Sequence, residues 1–153
     1  MFRNLLNRLF SDDISPPRLT SQDAEVAIAA LLVRMARADD HYGDAEQQRI
    51  DRILARRRGI DMTEAAERRL AAEMIEAEAP DTVRFTRMIK ERIALEDRIG
   101  VIAALWEIAY ADGRRSSEEE SLARLVTGLL GISDRDAGIA RQSVLSRMGV
   151  TEM

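Results

Sequence analysis

Residues 29–61 read AALLVRMARADDHYGDAEQQRIDRILARRRGID, and residues 103–133 read AALWEIAYADGRRSSEEESLARLVTGLLGIS. Laid over each other, they pair Leu32 with Leu105, Ala36 with Ala109 and Asp39 with Asp112. Beyond the loop the pairing becomes Ile50 with Leu122, Ile53 with Leu125 and Gly59 with Gly131, so one residue is gained or lost in or near the loop. Each copy reads helix, Ala-Asp-rich loop, helix, then Gly-Ile, which is one helix hairpin used twice. Ile28, Leu31, Leu32, Met35 and Ala36, with Val101, Ala104, Leu105, Ile108 and Ala109 in the second copy, lie on one helix face each and are the expected core. Trp106 and Tyr110 stand where the first copy has Val33 and Arg37. Trp106 is expected at the core, with a ligand or partner surface as the alternative.

The helical period extends over the rest of the chain. Strand-like alternation is absent, aromatic residues make up only 4%, and Ala, Leu, Ile, Arg and Glu recur with the period of a helix. The pattern predicts helices near 22–38, 44–58, 63–78, 81–93, 96–111, 117–130 and 134–147. Gly59 and Gly131 read as helix stops, Pro80 as a break, and Thr63 and either Ser133 or Asp134 as N-caps. The expected fold class is all-α, a compact bundle of about seven helices built from two pseudo-repeated hairpins over residues 20–153. Ahead of it, residues 1–19 hold a short amphipathic helix (Phe2, Leu5, Leu6, Leu9 and Phe10 on one face) and a linker with Pro16 and Pro17. That helix either docks on its own domain or contacts a membrane surface or partner.

Composition removes several function classes. At 153 residues the chain has one domain's length. With no cysteine there is no disulfide, thiolate metal site or thiol nucleophile, and a single histidine, His41, rules out multi-histidine metal motifs. A net charge of −4 gives no cationic excess to draw nucleic acid. No stretch approaches the 18 or so apolar residues of a membrane span, and the start is too short and polar for a secretory signal.

Each loop then holds carboxylates that the core does not claim: Asp39, Asp40, Asp44 and Glu46, then Asp112, Glu118 and Glu119. In both copies an Asp at a helix end precedes a Glu in the first turn of the next helix, Asp39 before Glu46 and Asp112 before Glu119. Hard oxygen donors in a short loop suit calcium or magnesium. Capping competes with this reading, because Ser116 with Glu119, and Asp44 with Gln47, have the spacing of capping boxes. Capping accounts less well for Asp39 and Asp112, which follow a helix C-terminus, where negative charge is disfavoured. Neither loop is an EF-hand: counted from Asp39 or Asp112, the twelfth position is Ile50 or Ala123 instead of a bidentate acid. No spacing recommends a catalytic triad or a phosphate loop. His41 reads as a surface residue. Arg56, Arg57 and Arg58 read as a solvated helix end, with an anion contact as the sharper alternative.

Residues 109–120, Ala-Tyr-Ala-Asp-Gly-Arg-Arg-Ser-Ser-Glu-Glu-Glu, following Leu105-Trp106, resemble the motif of the TerB tellurite-resistance family. A similar helical domain precedes the J-domain of DjlA-type membrane-anchored co-chaperones. The resemblance covers roughly residues 22–148. It implies an all-α, two-repeat fold and a divalent cation, calcium or magnesium, held by Asp39, Glu46, Asp112 and Glu119. It further implies a non-enzymatic, cytoplasmic role in tellurite and general stress resistance, with a membrane protein of the same system as partner, and so a place at the inner membrane. Asp40 stands in the family's usual glycine place, and Arg115 in the place of Ile or Val, which Tyr42 fits in the first copy. Lacking thiols of its own, the chain cannot reduce tellurite with them; any resistance is indirect.

Overall fold

In the computed structural model the described residues are 21–38, 42–79, 81–111 and 117–149. The expectations for the N-terminal helix, and for Asp39, His41, Pro80, Asp112 and Ser116, lie outside them. Seven helices make up the described chain: α1 (Ser21–Arg37), α2 (Asp44–Arg58), α3 (Met62–Glu78), α4 (Val83–Arg92), α5 (Leu95–Ala109), α6 (Ser117–Leu129) and α7 (Asp134–Met148). All lie within a few residues of the spans expected from periodicity, and no strand occurs among the described residues. The fold is all-α.

Helix α1 is the axis of the bundle. Every residue from Asp23 to Val33 is buried, including Ala24, Ala27, Ala29 and Ala30 at 2% exposure or less. A helix apolar on all sides must be enclosed, and the alanines let neighbours approach closely. The sequence reading assigned only one face of α1 to the core. Val26, Ala29, Ala30 and Val33 belong to it as well. α1 packs most extensively on α3 and α4, then on α5, α2 and α6. Of its two buried acids, Asp23 and Glu25, Glu25 accepts a hydrogen bond from Arg58 at 2.8 Å, with Arg57 3.7 Å away. Burial lowers the proton affinity of the Arg57 guanidinium, and the Glu25 carboxylate opposes that shift.

Burial corrects the register of the repeat. Ile53 is buried while Leu125 is 52% exposed, so the two are not equivalent. The buried Ile50, Ile53 and Leu54 of α2 correspond instead to Ala123, Val126 and Thr127 of α6. The register of the loop therefore persists through the second helix. The residue is lost at that helix's end, where α6 is shorter than α2 before Gly59 and Gly131, at φ 64° and 70°, stop each helix in the left-handed conformation.

Beyond those glycines the likeness continues into a third helix. Asp61 Oδ1 accepts the Glu64 amide at 2.8 Å and Ser133 Oγ accepts the Asp136 amide at 3.1 Å, so α3 and α7 start on equivalent N-caps. The cap of α3 is thus Asp61 and not Thr63. α3 packs most on α1, and α7 most on α5. The repeated unit is three helices, with α4 as the connection. The copies differ in one respect: α2 packs along α3, whereas α6 and α7 make little contact.

Candidate functional site

Glu46 and Glu119 sit at the same position, the third residue of α2 and of α6. Glu46 Oε2 accepts the Gly43 amide at 2.9 Å, so this carboxylate closes the capping box expected of Asp44 and Gln47. Glu119 is only 4% exposed. A carboxylate that deep needs compensation, and Glu119 has interaction partners. The structure thus places two of the four expected ligands at helix starts. Asp39 and Asp112 lie outside the described residues. Among the described residues no three acids or histidines come together to hold a metal ion.

What the sequence reading missed is the arginine of each third helix. Continuing the pairing past Gly59 and Gly131 sets Arg69 on Arg141. Arg69 Nε donates to Asp51 Oδ1 at 2.7 Å, and its Nη1 to Glu73 Oε2 at 3.0 Å. Burial works against the charge, but the hydrogen bonds to Asp51 and Glu73 outweigh it and raise the proton affinity of the guanidinium above its ordinary value. Tyr42 donates its hydroxyl to Glu73, and Arg37 lies over the Tyr42 ring at 4.9 Å. Arg37 and Arg34 both hold Glu76, at 2.6 and 3.2 Å, and Arg34 also donates to the carbonyls that end α3. Tyr42 is therefore held in a network joining α1, α2 and α3.

Burial first, then the hydrogen bond and charge of Glu73, raise the pKa of the Tyr42 phenol above its ordinary value. An acid weakened by folding stabilises the native state below its unfolded pKa of about 10 and loses that contribution as pH rises above it. Tyr42→Phe is accordingly expected to flatten the fall in stability above about pH 10. Urea midpoints across the alkaline range check this, and an unchanged slope would refute it.

In the second unit Arg141 serves an aromatic pair. Its guanidinium lies 4.9 Å from the Trp106 ring and 5.7 Å from that of Tyr110. Nη2 and Nε donate to the Tyr110 hydroxyl at 2.5 and 3.1 Å, and Glu120 is 3.8 Å away. Trp106 stacks on Tyr110 with centroids 5.5 Å apart and is 5% exposed, so it is a core residue. Among the described residues, none gives its buried indole nitrogen a hydrogen-bond partner.

The arginine run at the end of α2 is divided between two acids. Arg56 pairs with Glu107 at 2.7 Å, while Arg57 and Arg58 turn to Glu25. Glu107 also takes Arg147 at 3.3 Å, which ties α2, α5 and α7 together. Arg49, Arg52 and Arg56 line a shallow groove of about 240 Å³ floored by Ile53 and Met148.

A two-copy helical unit whose loops each lead into an acidic first turn was the expectation from the motif at 109–120. The family model for tellurite resistance protein TerB matches residues 25–142, nearly the whole described bundle. The chain belongs to the TerB family. No curated protein and no solved structure matches it. The TerB match takes in both three-helix units up to Arg141, and with them Asp39, Glu46, Asp112 and Glu119. Among the described residues of the TerB domain no helix is long and apolar enough to cross a membrane.

Proposed function

We propose that this TerB domain is a non-enzymatic, cytoplasmic stress-resistance module that works by binding a partner, and that its acidic loops take up a calcium or magnesium ion. The observation that supports the cation is Glu119, a carboxylate buried at the start of α6 and seven positions after Asp112 in sequence. Asp39 with Glu46, and Asp112 with Glu119, would supply the hard oxygens, and the ion would lend the loops positive charge and order. Few charged ligands per loop give modest affinity, nearer the roughly 10⁻⁴ to 10⁻³ M range of weak calcium modules than that of sensors.

The test is thermal unfolding with calcium, magnesium or chelator, on wild type, Asp39→Asn and Asp112→Asn. A cation at 100 times its dissociation constant adds about 2.7 kcal/mol, or roughly 5–10 °C for a chain of this length. That shift is expected in the wild type and reduced in the variants. No shift in the wild type leaves capping as the whole explanation, and a shift surviving both substitutions places the ion elsewhere. The Glu46–Gly43 hydrogen bond favours one alternative, a metal-free adaptor docking to a membrane-associated complex, since a carboxylate already engaged in capping is a poorer ligand.

A further inference from the structure

The outward face of α3 has the pattern of a buried surface. Thr63, Ala66, Leu70, Met74 and Ala77 follow one another at spacings of three and four along the side opposite Ala65, Ala72 and Ile75. Leu70 is 53% exposed and Met74 63%, and Met62 at 47% lies at the head of the same side. Small residues on either side of two long, flexible ones make a shallow seat for another helix. Glu67 and Glu78, both exposed, border it on one edge.

We propose that this face is the docking site of the chain's own N-terminal segment, residues 1–10. That segment has the complementary pattern: Phe2, Leu5, Leu6, Leu9 and Phe10 at helical spacing, with Arg3 and Arg8 and no acidic residue. Its two arginines are opposite in charge to Glu67 and Glu78. The tether also reaches. The Glu25–Arg58 bond holds the first turns of α1 beside the end of α2, shortly before α3 begins at Met62. Residues 11–20 extend to about 33–36 Å, and the 17 residues of α3 span about 25 Å. A second copy or a partner helix would need the same pattern, but neither starts tethered within reach, and tethering raises the effective concentration into the millimolar range. Docking would hide the large apolar groups of both surfaces from water.

Hydrogen exchange read by mass spectrometry tests this on the full chain. Wild type is expected to show amides of residues 2–10 slowed at least about tenfold relative to an unprotected chain. Leu70→Glu with Met74→Glu, both at exposed positions, should abolish that protection, and so should Leu5→Glu with Leu6→Glu. Free exchange of residues 2–10 in wild type overturns the proposal, as does protection that survives the α3 substitutions. Protection that disappears on dilution assigns the face to a second copy and overturns it as well.

Discussion

Replacing Arg69 with alanine is expected to lower the unfolding free energy by about 3–5 kcal/mol, because it leaves buried carboxylates without their cation. Arg69 is 9% exposed and Asp51 6%, and the 2.7 Å bond between them is enclosed by α2 and α3. Removing the guanidinium strands Asp51 and deprives Glu73 of one donor, leaving it Tyr42 and, at 3.3 Å, Gln47. Arg69→Lys keeps the charge but cannot reach both acids with a planar fork, so an intermediate loss is expected. Arg141→Ala is the matching change in the second unit, where the guanidinium lies 4.9 Å from the Trp106 ring and Glu120 is 3.8 Å away. Urea unfolding with an unchanged slope is the measurement. If Arg69→Ala costs less than about 1 kcal/mol, the Arg69–Asp51 ion pair contributes no more than an exposed one.

Much of the fold could be read from the sequence, because the signals were local. Gly59 and Gly131 stop helices by backbone conformation alone, and the 3.6-residue period of α5 needs no partner to be seen. Features set by packing were harder. Ile53 and Leu125 are both large aliphatic residues six positions before a glycine, so identity paired them. Only burial shows that Leu125 faces outward and that the missing residue lies at the end of α6. α1 looked one-faced because alanine is ambiguous: Ala29 and Ala30 suit a half-exposed helix and a fully enclosed one equally.

The candidate site divides along the same line. The spacing of Asp39 with Glu46 and of Asp112 with Glu119 is visible in the sequence, but the difference between a capping Glu46 and a deeply buried Glu119 is not. Arg69 and Arg141 were hidden among many arginines. Their signal was the pairing itself, had it been carried past Gly-Ile into α3 and α7. Sequence periodicity marks which face of a helix is apolar; it does not mark which arginine is turned inward, since that depends on an acid from another helix.

Leu32→Ala and Leu105→Ala are expected to destabilise unequally, although the sequence treats them as the same position in two copies. Both are fully buried, and a leucine truncated to alanine in a core costs about 2–5 kcal/mol, more where the cavity cannot close. Leu32 lies on α1, enclosed on all sides, so no neighbour can move inward without leaving another contact. Leu105 lies on α5, whose Ala103 and Glu107 are only partly buried, giving that helix a free flank on which to settle. Leu32→Ala should therefore fall near the upper end of the range and Leu105→Ala near the lower. The comparison is made by urea unfolding of the two single variants. A larger loss at Leu105 would mean that the second three-helix unit, despite the slight contact between α6 and α7, is the more tightly packed half. In that case the repeat, and not the axial helix, would carry most of the stability.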